Sequence, residues 1–168
     1  MPASARPTSG RARQSLFDLL GPRVAGARVL DLYAGSGAVG LEAVSRGAAR
    51  AVLVEPDAAI LRASLETWRV EPAEVRVFAA EVGPALERLA SAGERFDVVF
   101  ADPPYARTAE ADLAGLSGIV APNGLVVVQS DAKSQPPRIR GLAPTARRAY
   151  GRNVFHFMEV FDAPVRKC

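Results

Sequence analysis

Short apolar runs alternate with longer amphipathic stretches along most of the chain. This alternation is typical of βαβ units, in which helices connect parallel strands. Several of the short runs are apolar at successive positions, as expected for strands that are covered on both faces. The strands predicted from these runs are Ala27–Tyr33, Ala51–Glu55, Glu74–Ala79, Phe96–Ala101 and Gly124–Ser130.

Helical periodicity fills the intervals between the predicted strands. Thr8 or Ser9 can open an N-terminal helix, and Asp57 can cap a helix after the second strand. Two further helices are predicted over Val82–Ala92 and Thr108–Ile119. The apolar positions of the first two helices are Leu16, Phe17, Leu19, Leu20 and Ile60, Leu61, Leu65, Trp68.

The pattern changes after Ser130, where a polar loop broken by prolines begins. The segments "PTARRAY" and "NVFHFMEVF" then predict a hairpin joined at Gly151. The expected fold is an α/β domain over residues 1–168, with an N-terminal basic segment and helix (1–23) and a core (24–168). Its seven-stranded, mostly parallel sheet ends in a C-terminal antiparallel hairpin, with helices on both faces. His156, the only histidine, lies in the middle of the last strand, where we expect it to pack in the core.

The composition is that of an ordinary soluble domain, with 49% apolar and 23% charged residues. The sequence contains no apolar run of about 20 residues that could span a bilayer and no secretory signal. Cys168 is the only cysteine, so no internal disulfide can form, which fits a reducing compartment. The chain also lacks a cluster of Cys and His residues that could ligate zinc. We therefore expect a cytoplasmic monomer with no metal and no membrane partner.

The net charge of +3 comes mainly from arginines in two clusters, one near each end of the chain. Guanidinium groups suit bidentate contacts with phosphate. The joint enrichment of Arg, Ala, Gly and Pro is also what a GC-rich genome produces, so charge alone leaves nucleic-acid binding open. The clusters are Arg6, Arg11, Arg13 and Arg23, and Lys133, Arg138, Arg140, Arg147, Arg148 and Arg152.

A glycine-rich turn follows the first strand in "VLDLYAGSGAVGLEA". Gly35, Gly37 and Gly40 have the G-x-G-x-x-G spacing of a dinucleotide-binding turn, and Glu55 ends the next strand twenty positions after Gly35. A carboxylate there accepts hydrogen bonds from ribose hydroxyls, in NAD as in S-adenosylmethionine. Asp31, however, would repel a pyrophosphate and attract a cationic ammonium or sulfonium. The turn therefore favours S-adenosylmethionine over NAD.

Glu81 follows the third predicted strand. It could accept a hydrogen bond from an adenine amino group, or it could only cap the helix that begins there.

The segment "VVFADPPYAR" ends the fourth predicted strand in a stiff corner, because proline has no backbone N–H and a fixed φ. The Asp102 carboxylate and the Pro103 carbonyl can accept the two N–H groups of an exocyclic amine on a flat ring. That would direct the nitrogen lone pair at a methyl group. Pro104 stiffens the corner, and Tyr105 can stack on the ring, a contact worth about 1–3 kcal/mol per base. The corner predicts a site for an aromatic amine.

These motifs resemble those of known enzymes. The corner resembles the [D/N]-P-P-[Y/F] motif of amino-group methyltransferases. "RPTSGRARQSLFDLL", "VLDLYAGSGAVGLEAVSRGA", "VEPD", "ADPPY" and the late "YG" resemble, in that order, the bacterial 16S rRNA guanine-N2 methyltransferase family, the RsmD-like proteins. The likeness extends from Arg6 over nearly the whole chain. It implies a Rossmann-like class I methyltransferase fold, S-adenosylmethionine as cofactor, and methyl transfer to N2 of a guanine in 16S rRNA or the small ribosomal subunit.

The resemblance also implies roles for individual residues. The corner Asp102, Pro103, Pro104 and Tyr105 would hold the guanine. Arg6, Thr8, Arg11 and Arg13 would lie over cofactor and RNA. The residues expected to contact the cofactor are Asp31, Tyr33, Gly35, Ser36, Gly37, Glu55, Pro56, Glu81 and Val82.

Four other functions remain open from the residues themselves. An adenine-N6 methyltransferase would use the same corner, and a small-molecule or protein-glutamine methyltransferase would use the same cofactor. A nicotinamide oxidoreductase would use the same glycine turn, and an RNA-binding domain would use none of this chemistry.

Overall fold

The computed structural model describes residues 8–71, 73–104 and 106–161, with the backbone alone for 106–108. Seven strands form one sheet in the order β3-β2-β1-β4-β5-β7-β6. Strands β1 to β5 run parallel, and β7 is antiparallel to both β5 and β6. The strands are β1 (Arg28–Leu32), β2 (Arg50–Val54), β3 (Val75–Phe78), β4 (Phe96–Ala101), β5 (Val120–Asp131), β6 (Leu142–Tyr150) and β7 (Asn153–Val160).

Five α-helices cover the two faces of the sheet, each within the described residues. They are α1 (Gly10–Leu20), α2 (Ala38–Ser45), α3 (Ala58–Trp68), α4 (Val82–Ser91) and α5 (Ala106–Asp112). The buried side chains of α1, α2 and α3 belong to the core on one face, and those of α4 and α5 to the core on the other. Among the helices described, none is long and apolar enough to cross a membrane.

Residues of the central strands alternate between these two cores. Val98 and Phe100 of β4 pack with α1 and α2, whereas Val99 and Ala101 pack with α4 and α5. Burial on both faces is the physical reason for the continuous apolar runs in the sequence. The seven-stranded α/β sheet with a terminal antiparallel hairpin is as predicted, and β4 has the predicted bounds.

The predicted helix caps at Ser9 and Asp57 are present. The Ser9 hydroxyl accepts a hydrogen bond from the Ala12 N–H at 3.2 Å, and the Asp57 carboxylate accepts one from the Ala59 N–H at 3.3 Å. Each cap satisfies a backbone donor that the first helical turn leaves unpaired. His156 is buried as expected, and its Nε2 lies 2.8 Å from the Ser130 hydroxyl.

One expectation about the helices is wrong. The helix predicted over Thr108–Ile119 is two elements, α5 and a short 3₁₀ helix at Leu116–Ile119. Gly115 and Gly118 lie in the second half of that segment, and glycine disfavours a continuous α-helix. The apolar positions of a helix are not all buried: Ile60 and Trp68 are 61% and 62% exposed, because α3 buries only Ala58 and Leu61. Leu19 of α1 is also largely exposed.

Candidate functional site

The parallel strands end at one level, and this places the residues that follow them side by side. Leu32 of β1 pairs with Val54 of β2 on one side and with Ala101 of β4 on the other. Ala101 in turn pairs with Val128 of β5, and Val54 pairs with Phe78 of β3. The carboxyl ends of β1 to β4 therefore form a single edge, and β5 continues for three residues beyond it, to Asp131.

Polar residues follow several of these strand ends. Tyr33 follows β1, Glu55 follows β2 and Asp102 follows β4. Strand β1 lies between β2 and β4, so the chain order reverses there. Such a switch point, beyond the carboxyl ends of the strands, is where open α/β sheets bind ligands. The glycine turn and the Asp-Pro-Pro corner thus meet at the position expected for a ligand site.

The glycine turn is tight, and Gly37 is its most constrained residue. Gly37 has φ +79°, and its N–H donates to the Ala34 carbonyl at 2.8 Å. A Cβ at this position would lie 2.4 Å from Leu61 Cδ1 and 2.7 Å from Leu53 Cδ2. Gly35 also has a positive φ, of +56°, but open space where its Cβ would be. The backbone of this turn can therefore approach a ligand closely.

Glu55, which follows the adjacent strand β2, stabilises the turn through hydrogen bonds. Its Oε2 accepts a hydrogen bond from the Gly35 N–H at 2.9 Å, and its Oε1 accepts one from the Asp57 N–H at 3.2 Å. The side chain is half-buried, so the carboxylate faces both the turn and the ligand edge. Ser36, half-buried, and Pro56, exposed, lie in the same two turns. This arrangement can hold ribose hydroxyls.

Asp31 was expected to face the cofactor directly. In the structure it lies beneath the glycine turn, which covers it. The side chain is 1% exposed, and its Oδ2 accepts a hydrogen bond from the Gly40 N–H at 2.9 Å. Burial, with a smaller contribution from the nearby Asp102 and Glu55 carboxylates, raises the pKa of Asp31 to about 7. The carboxyl therefore holds the first turn of α2 in place, and its charge can reach the ligand edge only through the turn above it.

Glu81 and Val82 stand at the start of α4, three to four positions after the end of β3. Val82 is buried in the core, so only its backbone could meet a ligand. The Glu81 side chain is exposed and makes no capping hydrogen bond to α4 in the described chain. Its carboxylate is therefore available to an adenine amino group.

Asp102 begins the corner after β4. Burial raises the pKa of its carboxyl to about 6. Pro103 is half-buried and Pro104 is exposed, whereas Tyr105 lies outside the described residues. The two prolines line a cavity of about 140 Å³ together with the end of β5. Asp102 follows β4, which lies next to the strand that carries Asp31, and its charge contributes to the raised pKa of Asp31.

The four residues expected to contact RNA have different surroundings. The Thr8 hydroxyl donates to Gln129 Oε1 at 3.0 Å, which brings the start of α1 to the ligand edge. Arg13 instead forms an ion pair with Glu42 of α2, with 2.5 Å between Nε and Oε2. Arg11 is exposed on α1, and Arg6 lies outside the described residues.

Sequence reasoning missed a contact between the glycine turn and α5. The Tyr33 hydroxyl donates to Asp112 Oδ2 at 3.0 Å, across 79 positions of sequence. Burial and this hydrogen bond raise the pKa of the Tyr33 phenol, which therefore keeps its proton. Tyr33 has φ +58°, an unusual value for a residue with a side chain. Nothing in the sequence alone indicates that Asp112 is the hydrogen-bond partner of Tyr33.

Gln129 was also missed. It is buried, and its Nε2 donates to Asn153 Oδ1 at 3.2 Å. A polar side chain at the end of the apolar run "GLVVVQS" was the available signal, because buried amides usually have partners.

Comparison with known proteins gives one matching family model, described as "Conserved hypothetical protein 95", over residues 1–159. The Ribosomal RNA small subunit methyltransferase D of Escherichia coli K12 is 36% identical over 138 residues, which are 80% of this chain and 68% of that protein. The protein of the same name from Haemophilus influenzae is 32% identical over 137 residues, 78% of this chain and 70% of that protein.

Solved structures show the same fold. A hypothetical protein of Thermus thermophilus superposes with a TM-score of 0.80 at 40% identity, over 95% of this chain and 91% of that one. A SAM-dependent methyltransferase from Agrobacterium tumefaciens has a TM-score of 0.69 at 15% identity, over 88% and 62% of the two chains. The predicted Rossmann-like class I methyltransferase fold is confirmed.

Proposed function

Because the chain belongs to the conserved hypothetical protein 95 family, which includes the small-subunit ribosomal RNA methyltransferases D, we propose that it methylates N2 of a guanine in 16S rRNA. Membership confirms the resemblance identified from the motifs, and with it S-adenosylmethionine as the methyl donor and ribosomal RNA methylation as the reaction. We propose in addition that the methylated base is a guanine, that the methyl group goes to its N2 atom, and that the residues have the roles given below.

The residues at the ligand edge fit S-adenosylmethionine. The positive-φ turn at Gly35 and Gly37 allows close approach, Glu55 offers carboxylate oxygens to the ribose, and Glu81 is exposed for the adenine amino group. The buried Asp31 supplies negative charge below the turn, which favours a cationic ligand over a pyrophosphate. S-adenosylmethionine supplies an electrophilic methyl group on a positively charged sulfur.

The position of Asp102 is the observation that carries the proposal. Its strand neighbour Ala101 pairs with Leu32, so the Asp102 carboxylate lies beside the turn that would hold the methyl donor. In the reaction, Asp102 and the Pro103 carbonyl accept the two N2 hydrogens of the guanine and orient the nitrogen lone pair. As the new N–C bond forms and the C–S bond breaks, Asp102 stabilises the developing positive charge and takes the proton that nitrogen releases.

The guanine has to leave its stack to reach this corner. Unstacking costs a few kcal/mol in a duplex and least in a loop or an unpaired segment. An RNA loop or an assembly intermediate of the small subunit is therefore the expected substrate.

The test is transfer of labelled methyl from S-adenosylmethionine to small ribosomal subunits from a strain that lacks the enzyme, followed by nucleoside mapping. We expect N2-methylguanosine at one position of 16S rRNA. Label in N6-methyladenosine, or in no RNA, would contradict the proposal.

Two variants separate chemistry from cofactor binding. Asp102→Asn should lower turnover by about 10²–10⁴-fold, the usual contribution of a positioned acid–base group, with little change in the Kd for cofactor. Glu55→Gln should weaken cofactor binding by roughly 10- to 150-fold, because a hydrogen bond to a charged group contributes about 1.5–3 kcal/mol. A wild-type rate in the first variant would remove Asp102 from the mechanism, and an unchanged Kd in the second would remove Glu55 from the cofactor site.

A further inference from the structure

A groove leads away from the Asp-Pro-Pro corner, on the face of the sheet that carries α4 and α5. It begins in the cavity of about 140 Å³ that Pro103 and Pro104 share with the end of β5. A second cavity of about 500 Å³ continues towards Leu142 and Pro144 of β6. Gln135 and Pro137 line both cavities, so the two adjoin each other. We name this surface, from Pro103 to Pro144, the proline groove.

We propose that the proline groove binds the single-stranded RNA segment next to the target guanine, with Arg138 and Arg140 contacting its phosphates. This proposal rests on the proposed function, because the groove opens at the corner assigned to the guanine. Nothing in the methyl-transfer chemistry itself requires these residues.

The charge of the groove favours a polyanion. Arg138 and Arg140 line the larger cavity, and both are exposed. Two acids lie beside the groove, and both accept hydrogen bonds from neighbouring groups. Glu110 of α5 accepts one from the Arg138 backbone N–H at 3.0 Å. Asp131, which lines the smaller cavity, accepts two at 2.9 Å, from the Lys133 N–H and the Ser134 hydroxyl. Among the described residues, neither Arg138 nor Arg140 takes part in an ion pair. Two guanidinium groups beside one channel can neutralise consecutive phosphates of one strand.

The shape of the groove favours a nucleotide strand over a peptide strand. A cavity of about 500 Å³ falls within the roughly 300–1,000 Å³ that holds a small-molecule ligand, and one nucleotide is of that size. Proline rings together with Ile139 and Leu142 form a rigid apolar wall for a base. The outer strand β6 is a poor template for β-strand addition, because Pro144 lacks an N–H and the register shifts between Pro144 and Ala146.

Continuity with the corner favours an unpaired strand. A guanine held at Asp102 has left its stack, and its neighbour in the chain must lie within a few ångströms of Pro103 or Pro104. The smaller cavity begins at these prolines and is lined by the polar side chains of Ser130, Ser134 and Gln135. A neighbouring nucleotide can therefore pass from the corner into the larger cavity without a complementary strand.

The experiment compares wild-type protein with the double variant Arg138→Ala/Arg140→Ala. The matched control is Arg62→Ala/Arg95→Ala, which removes two exposed arginines of α3 and of the segment before β4. Binding of a fluorescent single-stranded RNA hexamer containing one guanine is measured by anisotropy between 50 and 200 mM salt. Methylation of small subunits and the cofactor Kd are measured on the same proteins, and thermal unfolding verifies that each is folded.

We expect the groove variant to bind the hexamer at least tenfold more weakly and to raise the KM for small subunits, with kcat and the cofactor Kd within threefold of wild type. The slope of log K against log salt should fall by about 1.4, since each phosphate contact on a single strand contributes about 0.7. Arg138→Lys/Arg140→Lys should restore most of the salt dependence, and the control variant should bind like wild type.

If wild type methylates small subunits and the groove variant has the same hexamer affinity and the same KM, the groove proposal is overturned and the proposed function stands. Equal loss of binding to a duplex of the same length would also overturn it, because the groove would then not select a single strand. Absence of rRNA methylation by wild type would overturn the proposed function instead, while the hexamer titration would still decide the groove.

Discussion

Replacing Gly37 by alanine tests whether the glycine turn is built on backbone geometry and close packing together. Gly37 has φ +79°, where a side chain costs about 1–2 kcal/mol. Its Cβ would also lie 2.4 Å and 2.7 Å from methyl carbons of Leu61 and Leu53. Both leucines are fully buried, so neither can rotate into free space, and overpacking of this kind costs about 1–3 kcal/mol. The sum is a loss of about 2–5 kcal/mol in the free energy of unfolding.

Gly35→Ala is the matched control, because it isolates the backbone contribution. Gly35 also has a positive φ, of +56°, but no atom within 4 Å of its Cβ position. We expect this variant to lose only about 1–2 kcal/mol. Urea unfolding without cofactor, followed by far-UV circular dichroism, gives both values. A domain of this size loses about 2–4 °C in Tm per kcal/mol, so Gly37→Ala should melt roughly 4–20 °C below wild type.

Equal destabilisation by the two substitutions would refute the reasoning, because the packing of the turn on Leu53 and Leu61 would then contribute nothing. A Gly37→Ala variant as stable as wild type would refute the backbone argument as well.

Three further predictions concern residues at the ligand edge. Tyr33→Phe and Asp112→Ala should each lower the free energy of unfolding by about 1–3 kcal/mol, because each removes the same hydrogen bond to a charged group. The double variant should therefore lose no more than either single variant. Additive losses in urea unfolding would contradict this. Turnover should fall as the pH drops through about 6, because burial raises the pKa of Asp102 and protonation removes its acceptor charge. The cofactor Kd should rise below pH 7 as Asp31 is neutralised. Calorimetry across pH 5–9 is the check: Asp31→Asn should lose the change between pH 7 and 8 and keep only the rise near pH 6 that comes from Asp102.

The sheet could be predicted from sequence because its physical cause is local. Strands with both faces buried need apolar side chains at successive positions, and β4 shows this pattern from Val98 to Ala101. The same holds for the corner after β4, where proline ends the hydrogen-bond ladder directly after Ala101. Once the strand order is known, the level ends of the strands bring Asp102 beside the glycine turn without further information.

The surroundings of individual side chains could not be predicted, because they depend on contacts between distant segments. The sequence places Asp31 at the end of β1, but only the packing of α2 shows that its carboxylate is covered and bound by Gly40. From the sequence, Arg13 looks like a cation that is free to bind RNA. In the structure α1 packs against α2, and Arg13 Nε lies 2.5 Å from Glu42 Oε2. The partner of Tyr33 follows from where α5 ends, and glycines after that helix made its length unpredictable from periodicity.

The three acids at the ligand edge explain why a cationic cofactor suits this fold. Asp31 lies near the end of β1, and Glu55 and Asp102 directly follow the two neighbouring strands. The charges of Asp102 and Glu55 contribute to the raised pKa of Asp31. A positive ligand relieves this repulsion and stabilises the ionised carboxylates, so its binding should lower the pKa values of Asp31 and Asp102. With a pKa of about 6, the Asp102 carboxylate is mostly ionised at neutral pH without a ligand, and a bound cation would extend this ionisation to lower pH. Under the proposed function, the sulfur is neutral after transfer, so these acids would bind the product less tightly than the methyl donor.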